Sequence, residues 1–338
     1  GTTVQLNSTT GLIGTDVFGD NIRIADCRVL NLKAPGAYAA EVPVGIRVAT
    51  GSDYISITGT KVEAFLNSVA SVGYGILAEG ASVDLVVDGC QVSGAYQGIA
   101  TTAGTNVNIS GTTVRDVDIG ISLKGAGNTV TGSTVTASTT RGVTGISVEG
   151  VDTTITGCNV ASARNVFAGE TPVGIDISST NTRVSNCIVR GWRNSAGSLG
   201  AGIKTSVGAS QITVDTTSIS LCWSGFLSVS AVGASEVTLS GCTFRSLDQD
   251  AVYFDNSNQV KVCDCTFTEV GTGDAVYVAN ANDIEVTGCK IFGDSTVVRG
   301  IHLEGADTGA NRMRRFVVSG NNISEVTGDG IFLEGYVQ

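Results

Sequence analysis

The stretch Gly145-Ile-Ser-Val-Glu-Gly-Val-Asp-Thr-Thr-Ile-Thr-Gly-Cys-Asn-Val160 decides the fold. Gly145-Ile-Ser-Val148 and Thr154-Ile-Thr156 alternate apolar with polar residues over runs too short for helices. A Gly-Cys step then leads into a third short segment ending at Val160. Period-two alternation broken by polar turns reads as strands with one face inward and one outward. The same pattern returns along the chain. Gly75-Ile-Leu precedes Leu85-Val-Val-Asp-Gly-Cys-Gln-Val92, Gly174-Ile-Asp-Ile177 precedes Val184-Ser-Asn-Cys-Ile-Val189, and Ala275-Val-Tyr-Val278 precedes Ile284-Glu-Val-Thr-Gly-Cys-Lys-Ile291. Markers equivalent to the first glycine fall at Gly45, Gly75, Gly98, Gly120, Gly145, Gly174, Gly202, Gly225, Ala251, Ala275, Gly300 and Gly330, at intervals of 22 to 30 residues. Such a period predicts a solenoid of about twelve coils. Equivalent strands would stack ~4.8 Å apart and bury a core that no single coil could bury.

Composition agrees with many short strands and tight turns. Among 338 residues there are 45 glycines and three prolines, and 42% of the chain is hydrophobic without an apolar run long enough to span a bilayer. The net charge of -11 argues against nucleic acid or an acidic membrane surface as partner, so neither nucleic-acid binding nor membrane insertion is expected. Nine cysteines in a chain of this size predict mostly free thiols, suited to folding in a reducing cytoplasm. The chain is expected to form one continuous domain over residues 1–338, as a piece of something longer.

The Gly-Ile-x-Val and Val-x-Ile-x-Gly-Cys/Asn-x-Val units resemble the right-handed parallel β-helix of the pectate-lyase-like superfamily, over roughly residues 20 to 335. That resemblance implies an all-β, single-stranded right-handed parallel β-helix. It is specific for fold and weak for function, because pectin-degrading enzymes, epimerases, phage tailspikes and adhesins share this scaffold. The motif sets of polygalacturonases, alginate epimerases and calcium-dependent pectin lyases are absent, so no catalytic residue carries over, and no metal or cofactor is expected.

Aligned coils predict columns of side chains. One follows the Gly-Cys step and holds Cys27, Thr60, Cys90, Thr112, Ser133, Cys158, Cys187, Thr217, Cys242, Cys265, Cys289 and Asn321. The preceding Gly or Asn suits a bend of positive φ, and the column reads as inward packing of small side chains. Cys263, one residue outside that column, is expected to face outward as a reactive thiol. A second, outward column follows the third residue of each Gly-Ile strand and ends in Tyr253, Tyr277, His302 and Phe332, a strip of rings on which sugars would stack. His302, the sole histidine, reads there as a strip member. Outward Leu77, Leu227 and Phe332 would suit lateral packing of a homotrimer.

A third column, Asp250, Asp274, Arg299 and Asp329, lies just before those strands. Asp250 and Asp274, one coil apart, are the candidate acid and base, with Arg299 favouring their ionisation or gripping an acidic sugar. Asp255 and Glu304 border the rings, and Arg312, Arg314 and Arg315 end an insertion over residues 306–315, offering further carbohydrate contacts. Extra residues at 33–44, 63–74, 164–173 and 191–201 are expected to project from one edge and wall a groove.

Three functions are compatible with these features. The first is a polysaccharide-binding β-helix resembling a phage tailspike or tail-fibre receptor-binding region, carried on a virion assembled in the host cytoplasm and possessing optional depolymerase activity. The second is an extracellular or cell-surface polysaccharide lyase, hydrolase or epimerase. The third is a structural or adhesive solenoid.

Overall fold

The bend before the Cys column sets the geometry of every coil. Asp26, Gly59, Gly89, Gly111, Gly132, Gly157, Asn186, Thr216, Gly241, Asp264, Gly288 and Gly320 all have φ between 45° and 66°. Glycine and asparagine enter this left-handed region most cheaply, which explains their recurrence before the cysteines. A second bend, at the start of the following coil's Val-x-Ile strand, is equally regular in torsion but more mixed in residue type. Asn21, Tyr54, Asp84, Asn106, Gly127, Asp152, Asn181, Gln211, Glu236, Gln259, Asp283 and Arg315 occupy it with φ between 54° and 70°.

The computed structural model describes residues 3–6, 13–31, 42–63, 72–80, 83–104, 106–137, 143–162, 171–194, 199–229, 234–293, 297–305 and 314–335. Among them are 38 strands and no helix. Every third strand belongs to the same sheet, so each coil contributes one Gly-Ile, one Val-x-Ile and one Cys-x-Val strand to three parallel sheets. The fold is a right-handed parallel β-helix of about twelve coils. Its residues form two compact units, 1–163 and 164–338. In the first, Ile46, Ile76, Ile99, Ile121 and Ile146 are stacked in register from coil to coil. In the second, Ile175, Ile203, Phe226, Val252, Val276 and Ile301 do the same. All eleven are fully buried, and each contributes about 1.5–3 kcal/mol of burial. Phe244 and Phe267 add a stacked pair at 5.1 Å in the Cys-x-Val sheet.

The Cys column faces inward, and all nine cysteines are free thiols. Its hydroxyl members do more than fill space. Thr60, Thr112, Ser133 and Thr217 each accept the backbone N–H of the column residue one coil earlier, as does Asn321 Oδ1 from Cys289. The cysteine thiols donate to carbonyls, for example Cys90 to Ile57 and Cys265 to Leu239. Polar groups at a buried corner are thereby satisfied without water.

Two expectations change. Leu77 is 5% exposed rather than an outward docking residue. With Val44 and Ala100 it forms a buried cluster outside the coil, covered in part by Ile13 and Tyr74. Beside it lies a cavity of about 370 Å³ rimmed by Arg47 and Glu79. Cys263 does face away from the core, in register with Ser240 and Thr287, but it is partly buried, and that burial pushes its thiol pKa up. The environment therefore makes it less nucleophilic than a free cysteine. Leu227 and Phe332 are half-buried.

The glycine that opens each Gly-Ile strand has a separate cause. A Cβ at Gly98 would collide with Val114 Cγ1 of the Cys-x-Val sheet and the Gly120 carbonyl of the next coil. This position faces inward, as does the isoleucine after it, so the chain turns two consecutive residues into the core. Gly98→Ala is expected to cost about 2–3 kcal/mol through overpacking. Gly89→Ala, at φ 60° with nothing within 4 Å, is expected to cost about 1 kcal/mol. Urea-unfolding midpoints of the two variants check this order.

Candidate functional site

Two inward residues in a row at the strand start place the residues on either side of them together on the outer face. In residues 164–338 this brings the Asp column and the ring column side by side. Backbone bonds stack Asp250, Asp274, Arg299 and Asp329 one coil apart, because Ala251 N–H donates to the Asp274 carbonyl, Ala275 to Arg299 and Gly300 to Asp329. Strand pairing puts Tyr253 opposite Tyr277, Tyr277 opposite His302 and His302 opposite Phe332. Successive ring centroids are 4.9, 4.6 and 5.2 Å apart, with the planes tilted or edge-on. Such separations are favourable for aromatic pairs. Tyr253, Tyr277 and Phe332 are half-buried and His302 is 4% exposed.

His302 is the hinge between the columns. Its Nδ1 lies 2.8 Å from Asp274 Oδ2 and 3.0 Å from Arg299 Nη1. The Arg299 guanidinium is 3.7 Å from Asp274 Oδ2 and sits 4.2 Å above the Phe332 ring. A carboxylate can only accept, so the 2.8 Å approach places a proton on Nδ1. Arg299 then acts on Asp274 as a charge and on Phe332 as a cation over a ring. Asp274 is buried, and its carboxylate is committed to His302 and Arg299.

Asp250 is placed differently. Its Oδ1 accepts the backbone N–H of Asp274 at 2.7 Å. Burial, reinforced by the Asp274 charge and opposed by that hydrogen bond, raises its pKa to about 6. A carboxyl in that range exchanges protons near neutrality. Gly273 packs against it, and any Cβ there would strike Asp250 Oδ1.

Acidic side chains form the opposite margin. Asp255, Ala279, Glu304 and Glu334 are paired in register. Tyr277 Oη donates a short hydrogen bond to Glu304 Oε2, and Asn280 Nδ2 donates to Asp255 Oδ1 at 3.2 Å. Burial, with the Glu304 charge, pushes the Tyr277 hydroxyl pKa well up and keeps it a donor. Glu334 Oε2 approaches His302 Nε2 to 3.5 Å.

The structure thus brings together Asp250, Asp274, Arg299, Tyr253, Tyr277, His302, Phe332, Asp255 and Glu304. Arg315 belongs to the Val-x-Ile strand Arg314–Ser319, in a different sheet, where it pairs with Asp283 at 2.5 Å. Arg314 opens that same strand, and Arg312 lies outside the described residues, as does most of the inserted segments at 33–44, 63–74, 164–173 and 306–315. Glu334 joins the site one coil beyond Glu304, with which it is paired in register. The inserted segment at 191–201 contributes buried Trp192, and Arg193 pairs with Asp248 at 3.0 Å.

Residues 144–312, half of the chain, match the family model described as a right handed beta helix region. The chain belongs to this right-handed β-helix family. No curated protein sequence matches it. Among solved structures, this β-helix is similar to the Dettilon tailspike protein, with TM-score 0.53 and 14% identity, over 97% of this chain and 56% of that one. It is similar to the tailspike protein of E. coli bacteriophage HK620 in complex with pentasaccharide, with TM-score 0.50 and 14% identity, over 92% of this chain and 60% of that one. A double mutant of the periplasmic alginate epimerase AlgG aligns with TM-score 0.56 and 11% identity, over 96% of this chain and 77% of that one. The chain therefore spans less than two thirds of either tailspike, and at these identities the likeness is one of fold.

Asp250 gives the site a defined pH signature. Its folded pKa lies above the ordinary carboxyl value, so its contribution to stability is full below about pH 4 and is lost as pH rises through about 6. Asp250→Asn keeps an oxygen acceptor for the Asp274 amide and removes the charge. The variant is expected to match the parent near pH 4 and to exceed it at pH 7 by up to about 2 kcal/mol. Thermal melts between pH 4 and 8 measure the difference.

Proposed function

We propose that this β-helix binds polysaccharide along the Tyr253–Tyr277–His302–Phe332 strip, as part of a host-attachment protein resembling a phage tailspike or tail fibre. The observation that carries this reading is the in-register ladder of rings with hydrogen-bonding groups on both margins. Sugar rings present C–H faces that stack on aromatic side chains and hydroxyls that need acceptors. Asp250 and Asp274 border one side, and Asp255, Glu304 and Glu334 the other, with Arg299 as the neighbouring cation. This predominance of carboxylates favours a neutral, hydroxyl-rich glycan over a bare polyanion. The tailspike fold likeness, and the pentasaccharide held by the HK620 protein, support this class of ligand. A virion or extracellular surface location and a homotrimeric assembly accompany the proposal.

A second reading, cleavage or epimerisation of the bound glycan, is favoured by Asp250, whose carboxyl pKa of about 6 suits proton transfer, and by the oriented Asp274–His302 pair beside it.

Calorimetry against a panel of surface polysaccharide fragments tests the first reading. Tyr253→Ala combined with Tyr277→Ala is expected to weaken binding about 5- to 150-fold, each stacked ring contributing about 0.5–1.5 kcal/mol. Unchanged affinity would move the chain to the structural class. Reducing-end or unsaturated products that disappear in Asp250→Asn would establish the second.

A further inference from the structure

We infer that His302, Glu304 and Glu334 form a binding site for a first-row divalent transition metal such as Zn2+, set into the margin of the ring strip. Each residue offers one ligand atom, and the three atoms lie within 4.8 Å of one another. They come from two adjacent strands, Ile301–Gly305 and Ile331–Gly335, held in register by pairing of His302 with Phe332 and Glu304 with Glu334.

The imidazole points to a ligand on its own account. Among the described residues, buried His302 Nε2 has no hydrogen-bond partner. A buried polar atom left unsatisfied costs about 1–3 kcal/mol, so a ligand that engages it is favoured. Asp274 orients the ring through Nδ1 and turns Nε2 toward Glu334 Oε2 at 3.5 Å. A cation between nitrogen and carboxylate, a proton or a metal ion, satisfies both, and metal titration separates the two. The carboxylate–histidine arrangement is also the one that orients and strengthens a metal-binding imidazole.

Charge and ligand type narrow the cation. Asp274, Glu304 and Glu334 carry three negative charges against the single positive charge of Arg299, which stands on the Nδ1 side of the ring. That leaves a surplus suited to a divalent ion. One nitrogen and two carboxylates suit Zn2+ or Mn2+, whereas Ca2+ and Mg2+ prefer all-oxygen shells. Tyr277, donating to Glu304, holds that carboxylate in place. Three protein ligands leave coordination positions for water or for a sugar hydroxyl at the strip edge.

The test uses the metal alone, so its outcome is separate from that of glycan binding. Apo protein prepared with chelator is titrated with Zn2+, Co2+, Mn2+ and Ca2+ by calorimetry, and the visible spectrum of the Co2+ form is recorded. Stoichiometric Zn2+ or Co2+ binding at micromolar or tighter Kd is expected, with Ca2+ at least 100-fold weaker. Exposed Glu334→Gln should weaken Zn2+ at least tenfold without altering the fold. Asp274→Asn should weaken it about 10- to 100-fold through loss of ring orientation. Affinity should fall on acidification, because protons compete with the metal for its ligand atoms. Binding no tighter than millimolar, binding indifferent to Glu334→Gln, or Ca2+ equal to Zn2+ would each overturn the site.

Discussion

Everything functional in this molecule depends on one constraint, the constant register in which each coil hydrogen-bonds to the next. Parallel pairing repeats the same residue positions one above another, so a single side chain becomes a column and a column becomes a surface. Register is held by two left-handed bends per coil and by the inward glycine or alanine at the start of the Gly-Ile strand, where no larger side chain fits. The ring strip, the Asp column and the acidic margin are consequences of that repetition rather than of a pocket.

Much of this was legible in the sequence. The Gly-Cys step announces its bend because glycine and asparagine carry a torsional signature, and the isoleucine and valine alternation announces the core. The second bend is less legible, since beside Asn, Asp and Gly it holds Tyr54, Gln211, Glu236, Gln259 and Arg315, which adopt positive φ under the pull of pairing on both sides and not by intrinsic preference. Leu77 reads as outward, which it is with respect to its coil, yet Tyr74 and Ile13 bury it. Alternation also separates Asp274 from Tyr277, and Arg299 from His302, onto opposite faces. The two consecutive inward residues between them put them on the same face, and strict period-two reasoning hides that step.

The chemistry of the site follows from this juxtaposition. His302 gains a hydrogen bond to a carboxylate one coil away, an arginine three residues earlier and two ring neighbours. Asp250 is forced to hold its proton to higher pH because its burial, with the Asp274 charge, outweighs the hydrogen bond it accepts from the Asp274 amide. On the proposed reading a saccharide chain lies along the tilted rings between the charged margins, which also supply a nitrogen and two carboxylates for a cation.

The central claim, register between coils at the site's own level, is testable with one substitution. Cys263 and Thr287 are opposite each other on the outer face of adjacent coils, while Lys261 is opposite Glu285. Partners in register lie ~4.8 Å apart, within disulfide range, whereas the diagonal neighbour does not. Thr287→Cys should therefore form an internal disulfide with Cys263 under mild oxidation, read by mass spectrometry of the digested protein, and Glu285→Cys should not. Equal cross-linking of both variants, or a preference for Glu285→Cys, would contradict the register on which the site is built.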